Sequence, residues 1–403
     1  MVPYFRRFGK EKFHLLPEPG QTCRIWPMER VKHKSIFWLC PLRHLLGLLG
    51  AMLIVLHRLL RGNTALMRSL SARFVRPTLE RLGESSAKLP FSMAELLIAA
   101  LVLGLLAYLF HSLKRILRFR RPLRQLYRLV MTPLCLALAI YGGFCLLWGT
   151  YYYGDDFVTR SGLETGAVST EELRTVTAWF ADLANAYSSA VPRDENGVCA
   201  TDRKAVLERS PRLYQGLEEE FPCLKGPALR VKSIGCSRLM SYLDFTGFFF
   251  PFTGEANVNI DFPPSLFAST VAHELAHQRG VAKEQEANFV AVLACLHNGN
   301  PDDVYSAALL AYSHLSSALY TADRFAWQEI YERLDEAVLR DFAANRSYWQ
   351  RFETPVQSVS NTVYEGFLQS YDQELGLRSY GACVDLLVKY YGAALATPQE
   401  GTE

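Results

Sequence analysis

The chain has 403 residues, half of them hydrophobic, with 43 Lys/Arg against 40 Asp/Glu and a formal net charge of +3. That length leaves room for two or three domains, and no repeat or low-complexity tract interrupts it apart from a polar tail after Thr397. The near neutrality hides an uneven split: residues 1–150 carry 23 Lys/Arg and 6 Asp/Glu, formally +17, while residues 151–403 carry 20 and 34, formally −14.

The basic half contains three stretches able to cross a bilayer. The first covers about residues 36–57 and is interrupted by Arg43 and His44; an interfacial or re-entrant helix is its alternative. The second, about 91–112, holds the single charge Glu95, and the third, about 129–150, lies in the uncharged run Leu129–Gly154. Between the last two, Lys114, Arg115, Arg118, Arg120, Arg121, Arg124 and Arg128 face no acid, which marks a cytoplasmic loop. The N-terminal segment is basic too and fits the same side. The segment Arg61–Pro90 is also basic, though Glu80 and Glu84 dilute it. The third span then exits outward, so residues 1–154 are expected as a membrane anchor and 155–403 as a domain outside the cytoplasm. With no cleavable signal peptide evident, the first span is expected to act as an uncleaved anchor. The basic loop has no nucleic-acid-binding motif and membrane anchoring explains its charge, so nucleic acid is not an expected partner.

Beyond residue 155, helical spacing of apolar residues predicts helices over Thr170–Ala190 and Asp202–Glu220. The aromatic and β-branched run Gly247–Asp261 reads as one or two short strands, with Ala256–Ile260 the candidate edge strand for an extended substrate. Glu255 is either a solvated turn carboxylate or a substrate contact.

Pro263-Pro264-Ser265 then signals a helix start with Ser265 as N-cap, and Gly280 a helix end. Between them lies His273-Glu274-Leu-Ala-His277, an HExxH motif. Residues four apart share a helix face, so both imidazoles can reach one Zn²⁺ while Glu274 serves as base toward a zinc-activated water. A catalytic zinc takes three protein ligands. A straight helix from His277 to Glu284 would separate them by about 10 Å, too far for bonds of about 2 Å. A break at Gly280 lets a second helix start near Lys283 and fold Glu284 back. The pattern HExxHxxGxx followed by histidine resembles the metzincins, but Lys283 stands at the third-ligand position and an ammonium has no lone pair. The pattern HExxH followed by ExxA(D/N) resembles the gluzincins, and Glu284-Gln-Glu286-Ala287-Asn288 matches it at a shorter spacing. His273, His277 and Glu284 are therefore the expected ligands, with Glu286 the alternative and Asn288 orienting an imidazole.

Further helices are expected over Asp302–Tyr320, Ala322–Ala344, Asn361–Leu375 and Ser379–Tyr391. A tyrosine from one of them could donate to an oxyanion. Among Tyr305, Tyr312, Tyr364, Tyr371 and Tyr380 the candidates are Tyr371 and Tyr380, and none is assigned. Cys40, Cys135 and Cys145 belong to the spans, while Cys199, Cys223, Cys236, Cys295 and Cys383 would allow up to two disulfides outside the cytoplasm.

The run from Pro90-Phe-Ser-Met-Ala-Glu95, through Trp148-Gly-Thr-Tyr-Tyr, to Phe250-Pro-Phe-Thr-Gly-Glu-Ala-Asn-Val-Asn and His273-Glu-Leu-Ala-His-Gln-Arg-Gly resembles a bacterial membrane family catalogued as domain of unknown function 3810. That family sits within the gluzincin-like peptidases, and the resemblance runs from the first span to about Tyr391. It implies a membrane-anchored zinc metallopeptidase of unassigned substrate. Arg279 departs from the extended zinc-protease pattern, where a hydrophobic residue is common.

The expected architecture is α+β and mainly helical. Three N-terminal transmembrane helices precede a zincin-like metallopeptidase domain with a small sheet beside the HExxH helix. Its expected partners are the bilayer and a peptide or protein substrate of the cell envelope. The competing reading is a catalytically inactive, membrane-bound peptide-binding scaffold or sensor. Intact Glu274 argues against it, because a pseudoenzyme has no chemical need for that carboxylate.

Overall fold

Helix α1 (Pro41–Leu60) leads through α2 (Thr64–Leu70), a π-helical stretch Ser71–Val75 and α3 (Arg76–Ala87) to the long helices α4 (Met93–Arg118) and α5 (Pro122–Leu147). The computed structural model describes residues 40–118, 122–371 and 381–396. Of the helices in these segments α1, α4 and α5 are long and apolar enough to cross a membrane. Their ends differ from the expected ones. Within the described residues α1 runs three residues past His57, α4 continues past Ser112 to Arg118, and α5 starts at Pro122 and stops at Leu147. Hydropathy marks the apolar middle of such a helix, whereas basic residues at its ends extend their heads to water without ending it. Arg43 and His44 leave α1 continuous because α5 supplies partners: Thr132 Oγ1 accepts from Arg43 at 3.0 Å, and His44 Nε2 lies 2.7 Å from the Tyr127 hydroxyl. Small residues let α1 and α5 cross closely, since a Cβ at Gly142 would stand 2.5 Å from the Gly50 carbonyl oxygen.

After α5 come a 3₁₀ turn (Gly149–Tyr152), α6 (Phe157–Ser161), α7 (Thr170–Ser188), α8 (Arg203–Arg209) and α9 (Leu217–Glu220). The single helix expected over Asp202–Glu220 is broken by Pro211 and by Gly216, whose φ of +89° no continuing helix permits. Strand β1 (Lys232–Ser233), α10 (Ser237–Tyr242), β2 (Gly247–Phe250) and β3 (Glu255–Val258) follow. The sheet order is β1-β3-β2, with β3 parallel to β1 and antiparallel to β2 in a register that sets Phe248 opposite Asn257. The expected substrate strand Ala256–Ile260 is therefore corrected. Its residues up to Val258 form the buried central strand with both edges used, Ile260 lies beyond it, and the edge strands are β1 and β2.

The C-terminal part is helical: α11 (Phe267–Gln278), α12 (Glu284–Asn298), α13 (Pro301–Ala322), α14 (Arg324–Tyr331), α15 (Glu336–Gln350), α16 (Pro355–Ser370) and α17 (Gly381–Ala396). Ser265 does not cap α11. It lies in a preceding 3₁₀ turn, and the amide of Ser269 is instead satisfied across the core by the Ser306 hydroxyl of α13 at 2.9 Å. The helix expected over Ala322–Ala344 is split, because Asp323 caps α14 and Asp335 precedes α15. Thr354 starts α16 earlier than expected, and residues 372–380 lie outside the described segments, including Tyr380. Alanines at 268, 272 and 276 on α11, 287, 291 and 294 on α12, and 307, 308 and 311 on α13 are all buried. Such small side chains let three helices approach closely, and this core fixes α11 and α12 against each other.

The sheet is tied to the second span. Glu255, buried, accepts from the first amides of α4, Met93 N at 3.1 Å and Ala94 N at 2.8 Å. A carboxylate there meets free N–H groups and the positive end of the helix dipole. In return Glu95 accepts from Gly235 N at 2.9 Å and Cys236 N at 2.8 Å. Glu255 is thus neither solvated nor a substrate contact. Every cysteine among the described residues is free.

Candidate metal centre

Helix α11 carries His273 and His277 one turn apart, on a different face from its buried alanines. It ends because Gly280 adopts φ +79°. The Gly280 amide then donates to the His277 carbonyl at 2.8 Å and the Val281 amide to the Ala276 carbonyl at 3.1 Å. This double closure of a helix end is the Schellman pattern, open to glycine because its C′ residue is left-handed. The turn also has a chemical consequence. It aims the Val281 carbonyl back at His277, whose Nδ1 it meets at 2.7 Å.

The chain re-enters a helix at Glu284, which brings Glu284 Oε2 to 3.2 Å from His273 Nε2 and 3.6 Å from His277 Nε2. One turn further along α12, Asn288 Oδ1 lies 2.9 Å from His273 Nδ1. The expected ligands His273, His277 and Glu284 therefore converge, from two helices rather than one, and form a group that could hold a metal ion. Glu286 does not join them: it points away and accepts from the amides of Phe157 at 2.8 Å and Val158 at 3.4 Å.

The donor set fits a divalent cation. Both Nδ1 atoms face oxygen acceptors, so both carry a ring hydrogen there and both rings turn Nε2 toward Glu284. A lone pair facing a carboxylate repels it unless something positive lies between. The same demand appears in the proton equilibria. Burial opposes charging His277, yet the Glu284 charge pushes its pKa up to about 9. Burial likewise opposes charging Glu284, but His277 holds its carboxyl well below the usual range.

Glu274 is 3 % exposed, and its Oε2 has no hydrogen-bond partner. Burial raises its pKa to about 7 against the pull of His273 and His277, which poises it to take or give a proton near neutrality. It lies under the edge strand, where any Cβ at Gly247 would collide with the carboxylate. Both border a cavity of about 510 Å³ that includes His273, His277, Glu284 and Asn288.

Several contributors carry weak or no sequence signal. The Tyr364 hydroxyl donates to Glu284 Oε1 at 2.8 Å, and its neighbour Phe367 also borders the cavity. Tyr364 was one of five tyrosines with nothing to separate it, because the contact joins residues 80 apart in sequence. Tyr371, favoured on sequence, instead packs into a buried aromatic cluster with Tyr152 at 4.8 Å. Trp148 stands edge-on to His277 at 5.9 Å. Arg279 is structural, with its guanidinium 4.1 Å above the Tyr214 ring and 3.5 Å from Glu218.

No curated protein and no solved structure matches the chain. A family model does, over residues 71–388, from the π-helical stretch to α17. By that match the chain belongs to the family described as Protein of unknown function (DUF3810).

Proposed function

We infer that this protein is a membrane-anchored, zinc-dependent metallopeptidase of gluzincin type, with its site outside the cytoplasm and a peptide or protein of the cell envelope as substrate. The observation that carries this reading is the convergence of three ligand atoms: Asn288 and Val281 hold His273 and His277 by their Nδ1 atoms so that both Nε2 atoms meet the Glu284 carboxylate. A Zn²⁺ held by these three residues would polarise a peptide carbonyl and acidify a water. Glu274, buried and unpartnered, takes the proton from the attacking water and passes it to the leaving amine. Tyr364 fixes the Glu284 carboxylate through its second oxygen. Because water is the nucleophile, no acyl-enzyme forms.

The orientation is supported by how three of the six cations of segment 61–90 are used. Arg61 donates to the Tyr153 hydroxyl, Arg68 pairs with Asp155, and Arg76 pairs with Glu80 and bonds the Lys225 carbonyl. These cations are spent at the domain end of the spans, whereas Lys114, Arg115 and Arg118 sit at the far end of α4. The positive-inside rule then puts the far end in the cytoplasm.

Metal analysis of the purified full-length protein tests the reading. We expect about one zinc per chain, lost in His273→Ala and Glu284→Ala. Glu274→Gln should keep the metal and lose peptide hydrolysis by about a hundredfold or more. Wild-type protein that is folded and binds no zinc would overturn it in favour of the inactive scaffold.

A further inference from the structure

The cavity that holds His273, His277 and Glu284 is walled in part by a membrane span. Phe144 belongs to the last turn of α5 and borders the cavity, as do Trp148, just beyond that helix, and Phe367, which meets the Phe144 ring at 5.5 Å. Trp148 in turn touches a histidine of the metal cluster. The end of a span lies where hydrocarbon gives way to headgroups, a depth favoured by Trp and Tyr. His277 is therefore one aromatic ring, that of Trp148, from the residue that follows the last turn of α5.

The edge strand β2, which borders the cavity, runs between the same two places. Strand β2 begins at Gly247, against the Glu274 carboxylate. Phe249 then packs on Trp148 at 4.9 Å, and past the strand the Phe252 ring lies where a Cβ at Gly143 of α5 would be 3.0 Å from it. At about 3.4 Å per residue, the edge from Gly247 to Phe250 spans roughly 10 Å. A chain hydrogen-bonded along it would reach from the carboxylate to the span within three or four residues. The aromatic lining gives such a chain apolar contacts of the kind that residues flanking a transmembrane segment supply.

We propose that the site takes the juxtamembrane segment of another membrane protein, bound in extended form with its membrane-embedded end toward Phe144 and Phe252. This rests on the peptidase reading for what happens to the segment, but not for whether it binds. Confinement to the same bilayer raises the local concentration of an anchored segment and leaves a water-soluble one at a disadvantage.

Full-length Glu274→Gln protein in phospholipid vesicles provides the test, with the photoreactive residue p-benzoylphenylalanine replacing Phe248 or, in a second variant, Thr246. Both positions border the cavity. Two mixed-sequence peptide pools are compared at equal amount, identical except that one carries an apolar anchor of about 20 residues. We expect about tenfold more crosslinking to the anchored pool, mapping within about six extended residues of its anchor. Equal crosslinking of the free pool, crosslinks scattered without regard to the anchor, or none to either pool would overturn the proposal. The peptidase reading is judged separately by incubating the anchored pool with protein that retains Glu274. Preferential crosslinking without hydrolysis there would sink that reading and leave this one standing.

Discussion

At the scale of single residues, Asn288 and Glu286 show how two neighbours on one helix separate by direction. Glu284 and Asn288 are one turn apart and both face α11, while Glu286 is rotated to the opposite side and caps α6. Asn288 would act on a bound metal through His273 alone, holding its hydrogen on Nδ1. Groups that orient a ligand imidazole typically contribute 10- to 100-fold in metal affinity. Asn288→Ala should therefore weaken zinc binding by about one to two orders of magnitude while the protein stays folded. Glu286→Gln should leave zinc affinity unchanged and lower thermal stability, because a buried acceptor of two amides is weakened. Competition with a chromogenic chelator reads the affinity, and a thermal melt of the same samples reads the fold. Equal affinity of Asn288→Ala and wild type would remove Asn288 from the site.

At the scale of elements, the break between α11 and α12 makes the third ligand reachable, and it rests on Gly280. Alanine there would carry φ +79° at a cost of about 1–2 kcal/mol, and its Cβ would stand 2.7 Å from the Tyr151 ring. A backbone shift that relieves either strain moves the Val281 carbonyl off His277. Gly299, which ends α12 at φ +72° with open space around it, gives the matched control. Gly299→Ala should lose only the backbone term and keep wild-type zinc affinity, whereas Gly280→Ala should lose more stability and bind zinc more weakly. If both behave alike, the turn is not coupled to the metal. This junction was legible in the sequence because its signals are local: HExxH spacing, a glycine at the stop, and ExxAN at the restart. The choice of edge strand was not. Strand β2 is a short aromatic run and β3 alternates polar with apolar residues, yet β3 is central because two residues, Lys232 and Ser233, pair with its outer side. So brief a strand leaves no periodicity to read. Tyr364 stayed hidden for the same reason, since only the folded chain brings it to Glu284.

At the scale of the whole molecule, the long apolar helices take part in the site, since Phe144 of α5 borders its cavity. Charge and hydropathy divide the sequence near residue 154, yet the structure stitches across that line. Glu255 and Glu95 tie the sheet to the start of α4, Trp148 covers His277, and Tyr151 packs on Gly280. A fragment of residues 155–403 would lose all four contacts at once. It would lose the two amide donors of Glu255 and would expose the aromatic faces of Phe249 and Phe367. We therefore expect this fragment to melt at lower temperature than the full-length protein in detergent, to aggregate through its exposed ring surface, and to bind zinc more weakly because His277 loses its cover. The same fragment begun at residue 148 restores Trp148 and Tyr151 but not α4, and should recover part of the zinc affinity with little of the stability. Melting curves and zinc competition on the three proteins separate the two contributions. A 155–403 fragment that matches the full chain in both would show that the spans only hold the domain at the membrane, and that the aromatic wall shared with α5 does nothing for the metal.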